Sequence, residues 1–202
     1  VYQVDHEFWN FLNVLQGDLG TDVFSERPVS TIFFEQIPFT ISLIIMAIGW
    51  SALLGIPLGC YSAIRRDTLV DKLTGVFSVG TITIPSFVVA LYSLLIFAVA
   101  LNWLPAIGAG KSGDILDQIM HLILPALSVG LGWVGYLARL VRASMLEVLG
   151  ENHIRTARAF GLPERTIILH YALRLAILPT VALLGVGIGH MLSGAVFAEI
   201  VF

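Results

Sequence analysis

Residues 36–64 read QIPFTISLIIMAIGWSALLGIPLGCYSAI, a run without a single Asp, Glu, Lys or Arg. As a helix this run exceeds the roughly 20 residues that cross a ~30 Å hydrocarbon layer. A Lys, Arg or Asp at the centre of such a helix costs about 2.5–3.5 kcal/mol on insertion scales, so a long charge-free window is what a membrane helix requires. Residues 73–110, 118–138 and 175–198 have the same character. Hydrophobic residues make up 57% of the chain and charged ones 12%, against about 25% charged in a soluble domain. A transmembrane barrel needs strands of about ten residues alternating apolar and polar, whereas these windows are apolar on every face. The expected fold class is all-α, a polytopic helical membrane protein.

The net charge of −3 says less than its distribution. The expected spans are residues 38–64, 73–101, 119–138 and 175–198. Arg65, Arg66 and Lys72 lie between the first two, and Arg139, Arg142, Arg155, Arg158, Arg165 and Arg174 between the last two. Together they are nine of the eleven basic residues, leaving Arg27 and Lys111. The positive-inside rule therefore places residues 65–72 and 139–174 in the cytoplasm, and residues 1–37 and 102–117 outside. The whole chain, 1–202, reads as one transmembrane domain. It opens at Val1 without a Met or a cleavable signal pattern and stops straight after an apolar run. It is therefore expected to be an internal fragment of a longer membrane protein.

As an ideal helix, residues 73–101 would measure about 43 Å, so a tilt or a break is expected. Pro85 is the expected break, because it lacks an N–H and clashes with the preceding turn. It reads either as a tolerated kink or as a discontinuity lining a pathway, with freed carbonyls facing a cavity. Gly49, Gly55 and Gly59 in the first span, and Gly185, Gly187, Gly189 and Gly194 in the last, favour close helix–helix contact. Cys60 is the only cysteine, so neither a disulfide framework nor a thiol metal cluster is expected.

The basic segment 151–174 is the polar interruption. Through residues 139–158, apolar Leu146, Leu149, Ile154, Ala157 and Phe160 are spaced roughly for one helical face. Gly161 followed by Pro163 predicts a helix stop and a new start, Gly accepting a left-handed conformation and Pro suiting the opening of the next helix. Glu164 falls in the first turn, where the helix dipole favours an anion. A second helix then runs through Ile167, Ile168 and Tyr171 towards Leu178-Pro179.

At this point the sequence resembles the permease subunit of ATP-binding-cassette importers, in the branch serving dipeptides, oligopeptides and nickel. Importer permeases carry a cytoplasmic loop with Glu-Ala-Ala, three residues, then Gly. Here Arg155-Thr156-Ala157 is followed after three residues by Gly161. The branch commonly reads Arg-Thr-Ala-Arg-Ala-Lys-Gly-Leu, and Phe160 stands in place of that Lys. Tyr171-Ala172-Leu173-Arg174 stands where the branch often has His-Ala-Leu-Arg. Similar landmarks occur in order at Gly17-Asp18-Leu19-Gly20, Arg27-Pro28-Val29, Ile84-Pro85-Ser86-Phe87, Trp103-Leu104-Pro105-Ala106, Leu122-Ile123-Leu124-Pro125, residues 138–145 and residues 194–199. They cover nearly the whole chain.

The resemblance implies an importer-type permease fold in a prokaryotic plasma (inner) membrane, forming half of a pathway for a peptide-like or nickel-type solute. It implies a second permease subunit, like or unlike, two cytoplasmic ATP-binding subunits and an extracytoplasmic solute-binding protein. Arg155, Thr156, Ala157, Arg158, Gly161, Leu162 and Pro163 would dock on the ATPase. Ala157 and Gly161 are expected to admit its close approach, and Arg155 and Arg158 to meet acidic or carbonyl groups. Gly161→Asp or Ala157→Glu is then expected to uncouple uptake without preventing insertion.

The chain carries no glycine-rich phosphate loop, so no enzymatic activity, no cofactor and no nucleic-acid partner are expected. Its histidines show no metal-ligand spacing. His190 reads either as a helix-bonded residue or, for a nickel solute, as the histidine to meet it. Glu199 reads either as a pathway group or as a snorkelling carboxylate near the outer interface. The alternative function is a stand-alone secondary transporter, which usually places carboxylates within its spans; no Asp or Glu occupies a span centre here.

Overall fold

The computed structural model describes residues 19–22, 26–108, 110 and 113–202, so Gly17, Asp18 and Lys111 lie outside the described residues. The chain divides into two compact units, Val1–Ser42 and Leu43–Phe202, and helix α1 (Val29–Ile64) runs through the boundary. In the first unit, Thr21 and Pro28 form an isolated antiparallel bridge, and Arg27 pairs with Glu35 at 2.7 Å in the open.

The second unit is built around α4 (Ile115–Leu149). Asp114 caps it, its Oδ1 accepting the N–H groups of Leu116 at 3.1 Å and Asp117 at 3.3 Å, donors that the helix itself leaves unsatisfied. α1 lies along it at close range. Trp50 Nε1 donates to the Ala126 carbonyl at 2.9 Å, and Ser51 Oγ donates to the Gly130 carbonyl at the same distance. One and two turns further, Gly55 and Gly59 face Val134, Leu137, Ala138 and Val141 with no room for a side chain. A Cβ at Gly59 would sit 2.4 Å from the Ala138 carbonyl oxygen, whereas one at Gly49 would meet nothing within 4 Å. Gly59→Ala should therefore destabilise the helix pair by about 1–3 kcal/mol. Gly49→Ala should be neutral or slightly stabilising. Melting of both variants in one detergent checks the contrast, and equal midpoints would contradict it.

α2 (Leu69–Thr83) follows a tight turn in which Asp67 has φ +63°. Its polarity is inverted relative to a soluble helix. Asp71, Thr74, Ser78 and Thr81 are buried, while Leu69, Leu73, Val76 and Val79 are exposed. The spacing of the four polar residues keeps them on one face, and that face packs on α4, where Gly135 admits Ser78 and Thr81.

α2 ends where Ile84 and Pro85 turn extended, and α3 (Ser86–Ser93) begins, continuing as a π-helical stretch Leu94–Ala100. The two arms meet at 96°. Pro85 supplies no N–H, and the residue before a proline is pushed out of the helical region. The expected break is thus a full discontinuity rather than a kink. Among the described residues, three helices are long and apolar enough to cross a membrane: Val29–Ile64, Ile115–Leu149 and Leu178–Glu199. The bent pair makes a fourth if its arms form one span. Among the described residues there is helix and loop but no extended strand.

Several boundaries depart from the sequence expectation. α1 starts at Val29 instead of residue 38, and α8 (Leu178–Val201) starts three residues later than 175. α4 does not end near residue 138 but carries Arg139 and Arg142 on to Leu149. The apolar spacing through 139–158 is not one helix face. The chain breaks at Gly150 and Glu151, and a separate helix, α5 (Asn152–Ala159), follows with Ile154 and Ala157 buried. Gly is the cheapest residue at which to leave a helix. Of the glycines expected at helix contacts, Gly55, Gly59 and Gly187 are closely packed, and Gly194 meets neighbours only at ordinary distances. Gly49, Gly185 and Gly189 face open space.

Two apolar cores hold the second unit. One joins Leu43, Ile44 and Ala47 of α1 to Ala126 and Val129 of α4 and to Met191, Ala195 and Ala198 of α8. The other, at the opposite end of α4, joins Cys60, Ala63, Val141 and Met145 to Ile154 and Ala157 of α5 and to Ile167, Ala172 and Ala176 beyond it.

Candidate functional site

Three constellations stand out, and the first is the elbow after α5. Gly161 has φ +75°, a conformation that costs other residues about 1–2 kcal/mol. Its N–H donates to the Arg158 carbonyl at 2.9 Å, and the Leu162 N–H reaches the Ala157 carbonyl at 3.3 Å. This is a Schellman closure, with Leu162 packed back on the core as its apolar contact. Pro163 precedes α6 (Glu164–Thr166), which runs on as a π-helical turn Ile167–Ala172 and α7 (Leu173–Ala176). The expected turn at Gly161-Leu162-Pro163 is present. Arg158 spans it to Glu164, Nε donating to Oε1 at 2.8 Å and Nη2 to Oε2 at 3.4 Å.

The elbow divides the expected docking residues by side. Ala157 is 7% exposed and faces the chain's own core, so it offers nothing to a partner. Ala157→Glu would put a carboxylate into that core, making it a folding lesion rather than an uncoupling one. Phe160, expected on the apolar face, is instead 82% exposed. Arg155, Thr156, Arg158, Gly161 and Pro163 are also exposed. Thr156 Oγ1 is occupied within the helix, donating to Asn152 O at 3.0 Å.

The second constellation escaped the sequence analysis. Asp71 is buried between α1, α2 and α4. Ser62 donates to its Oδ1 at 2.6 Å and the Asp67 N–H to its Oδ2 at 3.0 Å. Arg142 grips it with both prongs, Nε to Oδ1 and Nη2 to Oδ2 at 2.7 Å. A bidentate charged pair with its remaining lone pairs satisfied is the arrangement that tolerates burial. It joins the two loops that the positive-inside rule put on one side. The available signal was an Asp and an Arg on the same side, but nothing in the spacing pairs them.

The third is a cavity of about 470 Å³ where α2 breaks into α3 against α4 and α8. Ser86, Trp133, Tyr136 and His190 line it. Pro85 makes the break without lining the cavity. Glu199 lies two and a half turns beyond His190 on α8 and is not among the lining residues. Among the described residues, no three His, Cys, Asp or Glu side chains come together as a metal site, and the described lining of the cavity adds no other such residue to His190.

This architecture of a broken helix, a central post and a basic elbow coincides with a family match. Residues 55–202 match the family described as binding-protein-dependent transport system inner membrane component. The chain belongs to that family. The matched stretch takes in the α2–α3 break, the Asp71–Arg142 clamp, the elbow and α8, and leaves out the first 54 residues.

Members of the family similar to this chain include the glutathione transport system permease protein GsiC of Pectobacterium atrosepticum, 37% identical over 198 residues. The protein of the same name from Escherichia coli strain K12 is 35% identical over the same length. Each alignment covers 98% of this chain and 62% of the relative. The chain thus spans about three-fifths of the length of these curated relatives, and it is an inner-membrane protein by family.

Proposed function

We propose that this chain is the membrane-spanning subunit of an ATP-driven importer and forms half of a solute pathway with a second permease subunit. Two cytoplasmic ATP-binding subunits drive it through the elbow, and an extracytoplasmic binding protein delivers the solute. The observation that carries this reading is the elbow itself. A short helix is anchored in the chain's own core by Ile154 and Ala157, while Arg155, Arg158 and Phe160 are presented outward. A push on the exposed side reaches α4 through packed side chains rather than through a flexible loop.

The stand-alone transporter is disfavoured by how Asp71 is held. The one strongly buried carboxylate among the described residues is already gripped by Arg142 and is not poised to carry a proton. The solute class follows the relatives, which are named for glutathione transport, so a small peptide is proposed rather than nickel. The full-length protein, reconstituted with its partners in liposomes, should take up radiolabelled small peptides only when ATP is enclosed with the ATP-binding subunits. Uptake that continues without ATP or those subunits would refute the importer reading.

A further inference from the structure

Three glycines, Gly132, Gly187 and Gly194, stand in the wall of the cavity at the α2–α3 break. Gly187 is buried under the Trp133 indole, and a Cβ there would lie 2.3 Å from the ring. At Gly132 a Cβ would come 3.4 Å from the Thr81 carbonyl oxygen, in the last turn of α2. That carbonyl is the one a continuous helix would bond to residue 85, and proline has no N–H to give. Gly194 closes the far end, where a Cβ would be 3.8 Å from Val129 and 3.9 Å from Ser86. Trp133 and Tyr136 meet edge to face, with ring centroids 5.6 Å apart, and form an aromatic corner. Ser128 is buried with its hydroxyl turned to the Pro125 carbonyl at 2.7 Å, so its hydrogen is already used.

Among the described residues, no Asp, Glu, Lys or Arg lines this space. A charged terminus or charged side chain of a peptide would find no counter-ion there, and its desolvation would go uncompensated. An uncharged aliphatic or aromatic side chain fits the apolar walls and the aromatic corner, and the volume falls within the range of small-ligand pockets. We propose that this cavity is a side-chain seat in the permease, receiving an uncharged aliphatic or aromatic side chain of a small peptide in transit. The inference rests on the importer reading above and adds a selectivity that belongs to the membrane subunit.

The test fills the seat from a position with room to spare. Gly194→Leu places a side chain in the cavity from a site where a Cβ makes only ordinary contacts. The wild-type and variant permeases, each in the full complex with the same binding protein, are compared for ATP-driven uptake of Gly-Gly, Gly-Leu, Gly-Phe and Gly-Glu. The expected result is a loss of about tenfold or more in uptake efficiency for Gly-Leu and Gly-Phe, with Gly-Gly and Gly-Glu changed less than about twofold. A uniform loss across the four peptides, no loss at all, or failure of Gly194→Leu to co-purify with the second permease would each overturn the seat. The last result would instead make the cavity a subunit contact. Absence of ATP-driven uptake by the wild-type complex would strike the importer reading itself, which separates the two failures.

Discussion

Arg142→Gln should lower the melting midpoint of the solubilised protein by roughly 6–20 °C. Removing one partner of a buried ion pair costs about 3–5 kcal/mol, because the other charge is left desolvated. For a chain of this length each kcal/mol corresponds to about 2–4 °C. Asp71 is 6% exposed and Arg142 32%, so the carboxylate is the charge that suffers and water relieves part of the loss. The effect should lie in the lower half of that range. The double variant Asp71→Asn with Arg142→Gln removes both charges and should recover at least half of the lost stability, since neutral amides can still bond to Ser62 and to each other. Fluorescence-monitored melting of the three variants decides it. A single variant within about 2 °C of wild type would show that the clamp holds nothing, and a double variant no better than the single would show that the loss does not come from a stranded charge.

The second large effect is expected at Phe160, with the opposite signature. Phe160→Asp should leave the melting midpoint within about 2 °C of wild type, because the ring makes little contact with its own chain. It should nonetheless weaken association with the ATP-binding subunits about 30-fold, the loss that follows from truncating an aromatic anchor worth about 2 kcal/mol. ATP-driven uptake should fall with it. Ala157→Glu, three residues earlier, should do the reverse and deplete folded protein before any question of association arises. Co-purification measured beside melting separates the two. Normal association by Phe160→Asp would move the docking surface elsewhere on the elbow.

Much of the fold is legible in the sequence because the bilayer imposes simple demands. Charge-free windows locate the long helices, since a buried charge is expensive and loops can carry it freely. Pro85 is legible as a break and Gly161 as a turn, because each acts through its own backbone. What the sequence hides is orientation. The motif register in α5 names Ala157 and Gly161 but does not say which side faces the core. Helical arithmetic would have helped: Ile154 and Phe160, six residues apart, point roughly 120° away from each other, so both cannot lie on one narrow face. The Asp71–Arg142 clamp is hidden for a different reason, since it pairs residues on separate helices and only the tertiary fold brings them together. The cavity is harder still, because part of its wall consists of side chains that are absent.

The inverted polarity of α2 has a consequence for how the protein is made. Asp71 leaves the ribosome 71 residues ahead of Arg142, and Thr74, Ser78 and Thr81 likewise precede the α4 surface that covers them. Through that interval Ser62 of α1 and the Asp67 N–H can already bond Asp71, but the hydroxyl-lined face still lacks α4 and the guanidinium that neutralises the carboxylate. Its insertion is provisional until α4 arrives. A chain stalled or cut between the two helices would leave α2 as the segment most easily recognised as unfinished.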